Sequence, residues 1–233
     1  GQNQLSVAVE PLLDKAAKEL GIDRLEIRKI NAPSHDVLYD GDQHGVTSSY
    51  MPEALALGAE RFNYAEKIKR SGERNGSKVI GIGVGQAYHT AGSSGFDGLL
   101  QIKPDGKLHI HSGVGNLGTY SYATTPRVAA EVLGATWENC VVECGDSRRN
   151  LPWGLGQFGS NTSFTTTRTN YVAAIDAKQK IQEIAAMDLG GAAEDYELAD
   201  NTVFATADPS KMMTFAHLGS RAIALGGNIS SGA

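Results

Sequence analysis

The segment GFDGLLQIKPDGKLHIHSG, residues 95–113, constrains the fold most. Pro104-Asp105-Gly106 forms a turn, and apolar and polar residues alternate on either side, so the segment predicts a β-hairpin. A second hairpin pattern, DYELADNTVFATAD at 195–208, turns on Asp200-Asn201. Between the hairpins, TNYVAAIDAKQKIQEIAAM (169–187) has helical periodicity, and MTFAHLGSRAIAL (213–225) has it again after them. Helices and hairpins mix without a regular βαβ period, which predicts an α+β fold.

Upstream, Leu5, Val9, Leu12, Leu13, Ala16, Ala17 and Leu20 recur at helical spacing, and Gly21 supplies the stop. Residues 22–30 form a short amphipathic segment, and 32–50 read as a long loop. A second helix, 51–70, opens on Pro52. The turn-rich stretch SGERNGS (71–77) is a linker, so the chain divides into a helical segment with linker, 1–75, and an α+β domain, 76–233, the two expected to form one structural unit. In the latter, VIGIGVGQAYH (79–89) and WENCVVECGD (137–146) read as strands. Residues 119–133 read as a helix, with Pro126 in its opening turns or at a kink, and 148–166 as an irregular loop.

No run of 18 apolar residues is present, so no transmembrane helix is expected. The first twenty residues lack the cationic start and apolar run of a signal peptide. A net charge of −5 without a Lys/Arg cluster argues against nucleic acid as a partner. Cys140 and Cys144 are separated by roughly 13 Å of strand, too far for a disulfide. They read as two free core thiols rather than a metal pair, which fits a reducing compartment.

Glycine is over-represented, at 28 of 233 residues, and the excess sits in discrete loops. Two of these precede helices: Gly113–Gly118, within GVGNLGTYSYATT, and Gly154–Thr162. Backbone N–H groups at a helix start favour anions, and glycine allows close approach. Ser160, Thr162, Ser163 and Thr165–Thr167 add hydroxyls. Neither loop has P-loop or dinucleotide-fold spacing, so on the residues alone an anion or cofactor cradle and an ordinary turn both stay open. His109 and His111 share one strand face; a metal pair lacks a third ligand, and a solvent-facing strand is expected. Asp14, Glu19, Asp176 and Glu183 are expected as solvated helix-surface charges, and Asp146 as a turn cap.

The order of segments resembles the molybdenum-cofactor-binding large subunit of the xanthine dehydrogenase/aldehyde oxidase family. The resemblance is carried by LGIDRLEIRKIN (20–31), GIGVGQAYH, KPDGKLHIHSG, GNLGTYSYA, AAEVLG, Gly145-Asp146-Ser147, and FGSNTSF followed by TNYVAAIDAKQKI. It implies an oxidoreductase of the molybdenum hydroxylase type, oxidising an aldehyde or N-heteroaromatic ring with water as the oxygen source. The implied cofactor is molybdenum–molybdopterin, the cytosine dinucleotide form included, with iron–sulfur and flavin groups on other subunits. Gly118, Thr119 and Tyr120 would approach the metal and pterin, Gly159, Ser160 and Thr162 the pterin and its phosphate. Val84, Gly85, Gln86, Tyr88 and His89 would line the substrate pocket.

Departures from the family pattern include Arg24 for proline, Thr119 for glutamine, Tyr120 for glycine, Ala123 for threonine and Asn161 for arginine. The family's catalytic glutamate, in G-x-G-E, and its G-G-x-F-G loop have no counterpart here. The expectation is therefore a fragment or split subunit, without a catalytic residue or direct metal ligand of its own. It would need other chains or segments for activity: the rest of the large subunit and an iron–sulfur subunit, with or without a flavin subunit. The alternative is a non-catalytic assembly module that has lost the cofactor.

Overall fold

In the computed structural model, residues 2–35, 37–39, 44–46, 48–87, 95–149 and 151–233 are described. Two compact units divide the chain, Gly1–Tyr88 and His89–Ala233. The division falls at 88/89 rather than 75/76 because the segment after the linker folds back on the first unit. Gly72 N donates to Ile80 O at 2.8 Å, and the Arg24 guanidinium to Ile82 O at 3.1 Å.

The first unit contains helices α1 (Gln2–Leu20), α2 (Arg24–Asn31), α3 (Met51–Phe62) and α4 (Tyr64–Lys67). Short strand pairs β1 (Leu38–Tyr39) with β2 (His44–Gly45) and β3 (Arg74–Asn75) with β4 (Lys78–Val79) complete it. Asp23 caps α2 by accepting from Leu25 N at 2.7 Å. The same carboxylate accepts from the Tyr64 hydroxyl at 3.2 Å, and burial together with that charge pushes the phenol up to about 12. Leu25, Leu55 and Tyr64 form the small core, with Ile82 and Val84 against it. The strand expected over 79–89 is confined to β4; residues 80–87 are irregular, their alternating glycines offering no side chains to a sheet face.

The second unit holds most of the buried apolar surface. A four-stranded sheet runs in the order β11 (Ile229–Gly232), β5 (Leu99–Ile102), β6 (Leu108–His111), β7 (Cys140–Glu143). The β5–β6 hairpin turns at Pro104-Asp105-Gly106 as its sequence predicts, with Ile102 opposite Leu108. β6 and β7 are parallel, joined by a crossover through α5 (Ser121–Thr124) and α6 (Arg127–Leu133), so one βαβ unit is present. Pro126 splits the helix expected over 119–133 into those two pieces: it has no N–H to donate, and its ring blocks the preceding turn.

Across the core face of this sheet lies α7 (Asn161–Leu189), whose buried stripe is Ala173, Ala174, Ala177, Ile181 and Ala185. Small residues let the helix approach β5 and β11 closely. A second sheet, β8 (Tyr196–Ala199), β9 (Thr202–Ala205) and β10 (Met212–Thr214), precedes α8 (Phe215–Ala224). The fold is α+β, as expected.

Candidate functional site

Both glycine-rich loops belong to the second unit, and they meet at Gly113. Ser112 N donates to Glu143 O at 2.9 Å, extending the β6–β7 ladder one residue. The chain then passes so close to Pro152 that a Cβ on Gly113 would collide with the Pro152 carbonyl oxygen. The second loop is held there by an isolated Phe96–Gly154 bridge and by Asp97 N donating to Trp153 O at 3.0 Å.

Beyond Gly113 the first loop tightens around Asn116, whose Oδ1 accepts from Gly118 N at 2.9 Å and Tyr120 N at 3.4 Å. Gly118 has φ +93°, and Tyr120 enters α5 with φ +55°. A tyrosine in that left-handed region is costly, which is where the family pattern uses glycine. The Tyr120 side chain turns outward, 60% exposed, against the Tyr122 ring. Thr119 Oγ1 lies 2.7 Å from Ser121 Oγ, a local hydroxyl pair.

In the second loop, Gly159 and Ser160 are both left-handed, with φ +59° and +53°, and lead directly into α7. This helix starts at Asn161, inside the stretch expected to be irregular through 166. Ser160 makes no side-chain capping hydrogen bond, and of the first-turn N–H groups Asn161 N donates to Phe158 O at 3.0 Å. Among the described residues, these buried polar atoms have no protein partner: Oε1 and Nε2 of Gln157, and Oγ1 of Thr162 and Thr166. Thr162 and Thr166 are one helical turn apart, 7% and 5% exposed. Leaving such atoms unmatched costs about 1–3 kcal/mol each, so these side chains keep hydrogen-bonding capacity for a polar ligand. Gln157 was not among the residues singled out by sequence; only its place beside FGS could have pointed to it.

The remaining candidates lie elsewhere. Val84 and Gly85 line an apolar pocket of about 290 Å³ in the first unit, with Leu25, Leu55, Phe62 and Tyr64. Gln86 N donates to Glu10 Oε2 at 3.3 Å. Tyr88 and His89 lie outside the described residues. Among the described residues no three His, Cys, Asp or Glu side chains converge on a metal-sized site, and no helix is long and apolar enough to cross a membrane. Both cysteines are free and half-buried, and burial pushes the Cys140 thiol up to about 11.

Residues 57–233 match the family model of the molybdopterin cofactor-binding domain. The chain belongs to this family. This molybdopterin-binding chain is 28% identical over 199 residues to the aldehyde oxidoreductase molybdenum-binding subunit PaoC of Escherichia coli O157:H7, covering 84% of this chain and 26% of PaoC. It is 27% identical over 221 residues to the putative xanthine dehydrogenase molybdenum-binding subunit XdhA of Escherichia coli K12, covering 91% and 29%. The chain thus spans less than a third of either relative. The crystal structure of quinoline 2-oxidoreductase from Pseudomonas putida 86 superposes with a TM-score of 0.62 at 20% identity, over 98% of this chain and 32% of that one. The fold is therefore that of molybdenum hydroxylase subunits.

On the outer face of the molybdopterin-binding chain's four-stranded sheet, His109 and His111 are both 8% exposed, not solvent-facing as expected. Side chains of neighbouring segments cover them. Glu143 Oε1 lies 3.0 Å from His109 Nδ1, Lys103 Nζ lies 3.1 Å from that nitrogen, and Arg149 closes on the other carboxylate oxygen. Asp146 caps the turn carrying Arg148 and Arg149, accepting from Arg148 N at 3.1 Å, as expected of it.

The hydrogen bond with His109 holds Glu143 below its ordinary 4.5, and burial holds His111 below its ordinary 6.5. The unfolded chain binds a proton at either site before the folded chain does. Stability is therefore lost in two stages on acidification, first below about pH 6.5 for His111 and then below about 4.5 for Glu143. Urea unfolding between pH 7 and 4 will show this decline, with a slope of at most about 1.4 kcal/mol per pH unit from each group. His111→Gln will flatten the upper stage; an unaltered slope between pH 7 and 5 in that variant would exclude His111 as its source.

Proposed function

We propose that this chain is the molybdopterin-holding part of a molybdenum hydroxylase, and that the loops 113–125 and 154–166 hold the cofactor. The observation that carries this reading is the unmatched polar cradle of Gln157, Thr162 and Thr166 at the start of α7, inside the segment that matches the molybdopterin cofactor-binding family. Gly159 and Ser160 would present backbone N–H groups to the phosphate, with Thr162 adding a hydroxyl. Gly118 and Thr119 would border the pterin end, and the outward Tyr120 leaves that side open. When bound, the molybdenum–pterin group supplies two-electron oxidation chemistry. The residues of this chain bind and orient the group and exclude water from its phosphate end.

The substrate class we assign is an aldehyde or an N-heteroaromatic ring, with water as the oxygen source. The named activities of PaoC and XdhA support the aldehyde and purine-like alternatives respectively. Val84, Gly85 and Gln86, with Tyr88 and His89, are proposed for the substrate side. The cytosine dinucleotide form of the cofactor, the remaining large-subunit segments and the iron–sulfur and flavin subunits complete the proposal.

Metal and pterin analysis of the protein purified with its partners tests it. Roughly stoichiometric molybdenum and pterin are expected, and Ser160→Ala with Thr162→Val will lower both about tenfold, the equivalent of ~1.4 kcal/mol. Absence of both groups from the unaltered assembly would favour a non-catalytic assembly module instead.

A further inference from the structure

Thr169 and Asn170 are consecutive buried polar residues in the third turn of α7, 8% and 2% exposed. Consecutive helical positions point about 100° apart, so the pair reaches two different segments. Thr169 Oγ1 shares its proton between Thr165 O at 3.0 Å, in its own helix, and Phe96 O at 3.1 Å, outside it. Gly98 makes room for this contact, since a Cβ there would stand 2.6 Å from Thr169 Cγ2. Phe96 is the residue bridged to Gly154 in the second loop. Asn170 Nδ2 donates at 3.1 Å to the backbone carbonyl of Thr125, which ends α5 and therefore the first loop. Thr125 is itself 2% exposed, so water does not compete for that carbonyl.

We propose that Thr169 and Asn170 are positioning residues that pin the two glycine-rich loops to one helix and set the distance between them. The ligand of those loops rests on the function proposed above; the pinning does not. Two adjacent side chains bonded to two separate carbonyls tie the first loop directly, and the second through Phe96, to one helix. An apolar residue at either place would leave a buried carbonyl unpaired and free its loop alone.

Hydrogen exchange followed by mass spectrometry on the full protein tests the pinning, with molybdenum and pterin content measured on the same preparations. Asn170→Leu will speed exchange over 119–125 roughly tenfold while leaving 95–98 unchanged. Thr169→Val will do the reverse, and Thr169→Ser, which keeps the hydroxyl, will restore the original pattern. Exchange rising evenly through the unit, 196–205 included, would overturn the proposal and make the pair general core packing. Local loosening with falling cofactor content supports both the pinning and the cofactor loops. Local loosening with full cofactor content supports the pinning and refutes the assignment of these loops to the cofactor.

Discussion

Gly113→Ala will cost the protein more than about 2 kcal/mol and strip it of molybdenum and pterin, while Gly115→Ala two residues away will do neither. The difference is geometric. A methyl group at 113 meets the backbone carbonyl of Pro152, whereas a Cβ at 115 meets nothing within 4 Å. A flexible side chain could swing aside, but this obstacle is main chain. That main chain is itself held by the Phe96–Gly154 bridge and the bond from Asp97 N to Trp153 O. Relief must come from moving one glycine-rich loop off the other. Thermal unfolding and metal analysis of both variants check this; a Gly113→Ala protein with normal cofactor content would show that the contact between the loops is irrelevant to binding.

The same contact shows what a sequence conveys and what it withholds. The glycine excess and its position before helices were legible, because glycine's conformational freedom is a property of single residues. That the two loops touch is not, since their contact joins residues 113 and 152, brought together by the β6–β7 crossover. The 95–113 hairpin was legible because its turn and alternation are local. Helix α7 was seen only from 169. Its first two turns, Asn161–Arg168, carry four threonines and a serine, whose weak helix propensity hides a helix that tertiary packing supports. Strand β11 escaped entirely, for ISSG has the composition of a turn and becomes a strand only by pairing with β5. In the other direction, the alternation of 79–89 suggested a strand that, among the described residues, no partner segment completes beyond Val79.

Within the site, the residues of the FGS stretch were accessible through the family resemblance, while Gln157, Thr169 and Asn170 were not. Their importance lies in unmatched polar atoms or in hydrogen bonds between residues far apart in the sequence, which have no periodic signature. Charged residues gave the same lesson. Asp14 has the pattern of a solvated helix-surface charge, yet its carboxylate lies 2.8 Å from the Arg28 guanidinium.

That guanidinium sets the second large effect. Arg28 is fully buried, a rare state for arginine that requires its donors to be matched. Nε donates to Glu10 Oε2 at 2.8 Å, one terminal nitrogen to Arg24 O at 2.7 Å, and the other to Glu10 O at 3.1 Å. Glu10 and Asp14 both come from α1, so the side chain fastens α1 to α2 in a unit whose apolar core is small. Arg28→Met keeps the aliphatic stem but takes the cation from Glu10 and leaves Asp14 with only the Arg24 guanidinium, 3.5 Å away. Full burial would make that cost about 3–5 kcal/mol; since both carboxylates are partly solvated, we expect roughly 2 kcal/mol. Arg28→Lys will recover little, because one ammonium cannot reach acceptors arranged around a planar fork. The two units allow the effect to be located. Hydrogen exchange will rise across α1 and α2 in both variants, while α7 and the β5–β6 hairpin keep their protection and the calorimetric transition of the second unit keeps its temperature. If α7 loosens in step with α1, the two units unfold as one, and Arg28 stabilises the whole chain rather than its first 88 residues.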